Sequence, residues 1–169
     1  AMIIQYAEQV AAALLERKES LAVAESSTGG LILSLLTDVP GASAWLRGGL
    51  VAYTNDAKRT LLHVPDDVLS VHGAVSAEAA LAMARGAQRL FSATWALGET
   101  GVAGPQTGRR SAKPAGLTFI AISGGTGGAP LERTRQIVLP HPGDRVATKQ
   151  AFAEAALDLL LEALRNPPS

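Results

Sequence analysis

Leu21-Ala22-Val23-Ala24-Glu25-Ser26-Ser27-Thr28-Gly29-Gly30 runs straight into the apolar segment Ile32 to Leu36. A short apolar strand, a turn of serine, threonine and glycine, and then a helix make one strand–loop–helix unit. Ahead of it, Ile4, Ala7, Val10, Ala11, Leu14 and Leu15 recur at helical spacing, which predicts an amphipathic helix. Behind it, Thr37-Asp38-Val39-Pro40-Gly41 stops the second helix. Trp45 to Tyr53 read as a second strand in spite of Gly48-Gly49, and Asn55 to Leu62 as a short helix capped by Asn55.

Further along, Ser76 is a good N-cap for a helix with Leu81, Ala84, Ala87, Leu90 and Phe91 on one side. Thr94 to Glu99 form a third strand, followed by a long glycine-rich loop from Thr100 to Gly116. Leu117 to Ser123 are strand-like, and Gly124-Gly125-Thr126-Gly127-Gly128 can turn them back into Leu131 to Leu139. A last helix starts near Asp144 and carries Val146, Ala153, Leu157, Leu160 and Leu164. Alternating strands and helices followed by a hairpin predict an α/β fold with a mixed, mostly parallel sheet covered on both faces. Residues 1–169 read as one domain. Right-handed crossovers then bring the loops starting at Glu25, Thr54 and Thr100 to one carboxyl edge, where α/β sheets bind ligands.

Composition removes several functions. Lys+Arg and Asp+Glu are 15 each, so no global field draws the chain to nucleic acid or an anionic membrane. Aromatic residues are 4%, too few for a base-stacking surface. Cysteine is absent, which removes disulfides and thiolate chemistry and suits a cytoplasmic setting. Neither an apolar run long enough for a bilayer nor a signal segment is present, so no membrane partner is expected. His63, His72 and His141 lack paired spacing, so neither a metal nor another cofactor is expected.

The chemistry-bearing residues converge on the first loop. Ser26 follows a strand and precedes a helix whose first amides belong to Thr28, Gly29 and Gly30, an arrangement suited to an oxyanion or a phosphate. The same residues also fit an ordinary helix cap that needs no substrate. Lys58 follows the second strand and so reaches the same edge; if burial lowers its pKa, it can take the Ser26 proton. An exposed helix lysine beside Arg59 is the alternative. Tyr53 could shuttle a proton, bond a ligand, or merely pack. Thr100 and Gly101 open the third edge loop, with a hydroxyl and a close backbone approach. Arg109, Arg110 and Lys113 could clamp a phosphate or simply form a charged loop. Neither Gly104 to Ser111 nor Gly124 to Gly128 has the context of a nucleotide-phosphate loop.

Several segments in order carry a resemblance. They are Ala24 to Gly30, Thr37 to Gly41, Arg47 to Lys58, His72 to Ser76, Thr100 to Pro105, Lys113 to Gly116 and Gly143 to Arg145. Together they resemble the C-terminal domain family of the competence-damage protein CinA, whose stand-alone members include nicotinamide-nucleotide amidases. The resemblance implies a three-layer α/β/α sandwich and a metal-free amidase with a serine nucleophile and a lysine base. It implies a small-molecule nucleotide substrate, nicotinamide mononucleotide, hydrolysed to nicotinate mononucleotide and ammonia. The catalytic roles fall on Ser26 and Lys58, with Tyr53 beside them. Substrate binding falls on Ser27, Thr28, Gly29, Gly30, Thr100, Gly101, Arg145 and Lys149. Whether the chain forms a homo-oligomer stays open.

Departures from the family pattern are Ser27 for a usual cysteine, Glu99 for a small or apolar residue, Gln106-Thr107-Gly108 after Gly104-Pro105, and Lys149 for a frequent arginine. They leave a second hypothesis, a catalytically silent ligand-binding domain. A third, a nucleic-acid-associated competence factor, is opposed by the charge balance and the few aromatics.

Overall fold

The computed structural model describes residues 2–105, 113–126, 130–140 and 142–165. Among these residues, five α-helices, α1 (Met2–Arg17), α2 (Leu31–Thr37), α3 (Asn55–Leu62), α4 (Ala77–Phe91) and α5 (Arg145–Arg165), accompany five strands. The strands are β1 (Leu21–Glu25), β2 (Leu46–Val51), β3 (Trp95–Val102), β4 (Leu117–Gly124) and β5 (Leu131–Val138). They form one sheet in the order β2-β1-β3-β4-β5. β1 runs parallel to both β2 and β3, while β3–β4 and β4–β5 are antiparallel, so only β4 opposes the common direction. The mixed, mostly parallel sheet and its two helical layers match the expected fold class.

The period of two along the buried strands distributes the core. Leu21 and Val23 face α1, α2 and α5, joined by Trp95, Leu97, Ile120 and Ile122. Ala22 and Ala24 face α3 and α4, joined by Ala96 and Ala121. That second face is lined with alanines because α4 lies close to it. A Cβ on Gly98 would stand 2.2 Å from the carbonyl oxygen of Ala80 in α4.

Three local expectations change. The cap of α3 is Thr54, whose hydroxyl accepts from the Ala57 N–H at 3.1 Å, and Asn55 is the first helical residue. Leu90 is exposed, since the buried face of α4 is made by Ala80, Met83, Ala84 and Ala87 and lies one residue further round. Thr100 and Gly101 belong to β3 and pair with Phe119 and Thr118, so the antiparallel ladder extends the strand where glycine content had suggested a loop. Gln106-Thr107-Gly108, Arg109, Arg110 and His141 lie outside the described residues.

The parallel directions place the carboxyl ends of β1, β2 and β3 at one edge. β5 shares their direction, so α5 starts there too, bringing Arg145 and Lys149 to the same place.

Candidate active site

Glu25 ends β1, and Ser26 begins the turn that Gly29 and Gly30 close with φ of +62° and +100°. Both angles lie in the left-handed region that glycine enters without strain. At the neighbouring strand end, the Ala52 N–H donates to the Glu25 carbonyl at 2.8 Å, and the Thr54 cap starts α3. Lys58 therefore projects from the first turn of α3 back across the strand ends.

Its ammonium meets Ser26. Lys58 Nζ lies 3.0 Å from Ser26 Oγ, 2.8 Å from the Ala52 carbonyl oxygen and 3.5 Å from that of Tyr53. Lys58 is 2% exposed. Burial lowers its pKa from an ordinary 10.5 to about 8, against the opposing pull of the Glu99 charge. Deprotonated, the amine keeps two N–H donors for the two carbonyls and turns its lone pair toward the Ser26 hydroxyl. That is the geometry of a serine with a lysine base.

Two buried carboxyl groups, neither assigned a role by the sequence reading, organise the turn from within. Glu25 accepts from the Gly30, Ile32 and Leu33 N–H groups at 3.1, 3.0 and 2.9 Å, neutralising the amino end of α2. Glu99 accepts from the Ser26 and Thr28 N–H groups, both at 3.0 Å, and from the hydroxyls of Ser27, Thr28 and Thr118. Thr28 Oγ1 lies 2.6 Å from Glu25 Oε1 and 2.8 Å from Glu99 Oε1. One hydroxyl has one proton to give, so Thr28 can donate fully to only one of the two carboxyl groups at a time. Burial pushes the pKa of Glu25 up, opposed by the bonds it accepts from the Thr28 hydroxyl and the Leu33 and Ile32 N–H groups. A glutamate closing a fully buried strand was the available signal, because an enclosed charge needs donors.

This arrangement corrects the expected anion cradle. The Thr28 N–H goes to Glu99, the Gly29 N–H to the Ser26 carbonyl at 3.1 Å, and the Gly30 N–H to Glu25. In a buried turn, unbonded amides are costly, and the two glutamates satisfy them internally. Only the Ser27 N–H, of the amides from 26 to 30, has no acceptor among the described residues. The hydroxyls of Ser27 and Thr28 are likewise committed. So is that of Thr100, which donates to the Ala74 carbonyl at 2.7 Å rather than facing Ser26.

Cations stand at the mouth. A Cβ on Gly29 would be 3.4 Å from Lys149 Nζ, so that ammonium lies over the turn; it has no hydrogen-bond partner among the described residues. Arg145 donates to the Tyr53 hydroxyl at 3.1 Å and to the Gly104 carbonyl at 2.9 Å. Tyr53 thus presents its hydroxyl to a guanidinium and meets Lys58 only through its backbone. Lys113 donates to the carbonyls of His72 and Val75 instead of standing with these two cations. Arg59 pairs at 2.7 Å with both Asp56 and Asp66 on the surface. Among the described residues no group of His, Asp and Glu is arranged to hold a metal, and no helix is long and apolar enough to cross a membrane.

Comparison with known proteins bears on this arrangement. A model of the CinA C-terminal domain family matches residues 3–164. A CinA-like protein from Anaeromyxobacter sp. (strain K) is 45% identical over 158 residues, which is 94% of this chain and 37% of the relative. A second, from Anaeromyxobacter sp. (strain Fw109-5), is 47% identical over 92% of this chain and 36% of its own length. The chain therefore spans a little over a third of these curated relatives. Solved structures match end to end. The competence/damage inducible protein CihA from Agrobacterium tumefaciens superposes with a TM-score of 0.86 at 37% identity, covering 98% of this chain and 97% of that one. The competence damage-inducible protein A (ComA) from Klebsiella pneumoniae subsp. pneumoniae MGH 78578 gives 0.88 at 30%, covering 98% and 99%.

Proposed function

The chain belongs to the CinA C-terminal domain family, and from the geometry of its serine–lysine pair we propose that it is an amidohydrolase acting on nicotinamide mononucleotide. The observation that carries this reading is the 3.0 Å contact between Ser26 Oγ and a Lys58 amine whose pKa is lowered by burial. At pH 7 a group titrating near 8 is neutral in roughly a tenth of molecules, against well under a thousandth for a free lysine.

Neutral Lys58 takes the Ser26 proton as Oγ adds to the carboxamide carbon. The oxyanion that forms faces the Ser27 N–H, the amide following the nucleophile and a donor without a partner among the described residues. Collapse of this adduct breaks the C–N bond, and protonated Lys58 returns its proton to the departing ammonia. Water then attacks the Ser26 ester with Lys58 again as base, releasing nicotinate mononucleotide. Lys149 and Arg145 supply positive charge at the mouth for the phosphate, with Lys149 acting as a point charge where arginine would bind through two donors. Tyr53 holds Arg145 at that rim.

Incubating the purified chain with nicotinamide mononucleotide and measuring ammonia tests the proposal; stoichiometric ammonia and nicotinate mononucleotide are expected. One observation favours a second reading, a domain that binds the nucleotide without turning it over. The Glu99 charge favours the ammonium form of Lys58. Saturable binding with no ammonia at any pH up to about 9 would select that reading.

A further inference from the structure

Glu99 sits in the middle of β3, fully buried, one residue beyond the last β1–β3 pair, Ala24 with Gly98. That position puts its carboxyl beside the turn leaving β1. Of its five donors, four come from the consecutive residues Ser26, Ser27 and Thr28, and the fifth is Thr118 Oγ1 on β4 at 3.0 Å. A carboxylate offers about four lone-pair sites and no donor, so this environment is built for an acceptor: three donors bond Glu99 alone, while the Thr28 and Thr118 hydroxyls are shared with Glu25 and the Thr100 carbonyl. The Ser26 N–H bond sets the rotation of the serine backbone, while the Ser26 hydroxyl is left to Lys58 alone among the described residues. The Ser27 hydroxyl donates to the other carboxylate oxygen of Glu99.

We propose that Glu99 is a positioning residue for Ser26: its carboxylate clamps the 26–28 turn so that the serine hydroxyl points at Lys58. Its catalytic meaning rests on the amidase reading above; its structural meaning does not. Glu99 touches no substrate atom in this role and acts through the backbone of the nucleophile and through its charge. The titratable and charged groups around Lys58 are Glu99 on β3, Glu25 on β1, Tyr53 after β2, and Arg145 and Lys149 on α5. Of these, Glu99 is the one whose charge bears on the lysine, favouring its ammonium form. Clamping and charge therefore have opposite kinetic consequences, and two variants separate them. Glu99→Gln keeps an acceptor and removes the charge; Glu99→Val removes both.

The chain has four lysines, Lys18, Lys58, Lys113 and Lys149, so 13Cε-lysine NMR resolves Lys58, with Lys58→Met as the assignment control. Three quantities are read on the intact chain: the Lys58 titration midpoint, hydrogen exchange at the Ser26 and Thr28 amides, and ammonia release from nicotinamide mononucleotide. In Glu99→Val the midpoint is expected to fall, exchange at both amides to rise about tenfold or more, and kcat to fall by a similar factor with KM little changed. Glu99→Gln should lower the midpoint too, while recovering much of the amide protection and kcat. Wild-type exchange and kcat in Glu99→Val would overturn the proposal. So would a midpoint that stays put or climbs toward that of free lysine, the mark of a residue that only keeps water out. If Glu99→Val does not fold, midpoint and exchange in Glu99→Gln decide alone: a lowered midpoint with both amides still protected supports the clamp, and an unchanged midpoint refutes it. Absence of ammonia from the wild type would refute the amidase reading, while exchange and midpoint would still decide the role of Glu99.

Discussion

Replacing Lys58 with methionine tests burial and chemistry together. The drop in its pKa from 10.5 to about 8 corresponds to about 3 kcal/mol of penalty for the charged form in the fold. The sign follows from proton counts. Between pH about 8 and 10.5 the unfolded chain holds a proton on Lys58 that the folded chain has lost, so stability rises with pH across that window. Below about 8 both forms are protonated and the folded protein carries the whole penalty. Wild type should therefore gain about 2 kcal/mol relative to Lys58→Met between about pH 7 and about pH 9.5. Urea melts of the two proteins at both pH values measure this difference, and differencing cancels every other titrating group. Turnover should follow the same group, climbing about tenfold per pH unit below about 8 and levelling above it. Lys58→Met should lose about 10²–10⁴ in kcat, and Lys58→Arg should be as poor because guanidinium keeps its proton. A stability difference independent of pH would refute the buried, depressed lysine. Full activity in Lys58→Arg would refute its role as base.

Ser26→Ala should abolish ammonia release with an unchanged circular dichroism melt, whereas Ser27→Ala, which trims one bond to Glu99, should cost less than about tenfold; the reverse order would mean that the nucleophile is misassigned. Ammonia release should survive exhaustive EDTA treatment, and loss restored by one specific divalent ion would count against the serine–lysine scheme. Lys149→Ala should raise KM for the mononucleotide about tenfold with kcat kept, while leaving any hydrolysis of phosphate-free nicotinamide unchanged; equal effects on both substrates would remove its phosphate role. Gly98→Ala should cost about 2 kcal/mol or more in a thermal melt, because its Cβ would collide with backbone oxygen that cannot swing aside.

Much of the local structure follows from side-chain periodicity and turn residues, which depend on neighbours in the chain. The apolar run Leu21 to Ala24 next to a glycine turn was enough to identify β1, and α/β alternation was enough to bring Ser26 and Lys58 to one edge. The glycines of the first turn were legible for a similar reason, since left-handed angles leave few other residues. Where the reading failed, the deciding partner was distant in sequence. Gly101 reads as loop, yet β4 completes its ladder. Leu90 reads as core, yet the alanine face of α4 is the one that fits the sheet. The amides of Thr28 and Gly30 read as a vacant anion site, yet Glu99 and Glu25 occupy them. The sequence by itself determined which elements form and which edge carries the reactive hydroxyl and amine. Tertiary packing alone decided that Lys58 is sealed from water and that the donors of the turn are spent on two buried carboxyl groups. Burial and hydrogen-bond saturation depend on every element that closes around a group, and no local pattern records them.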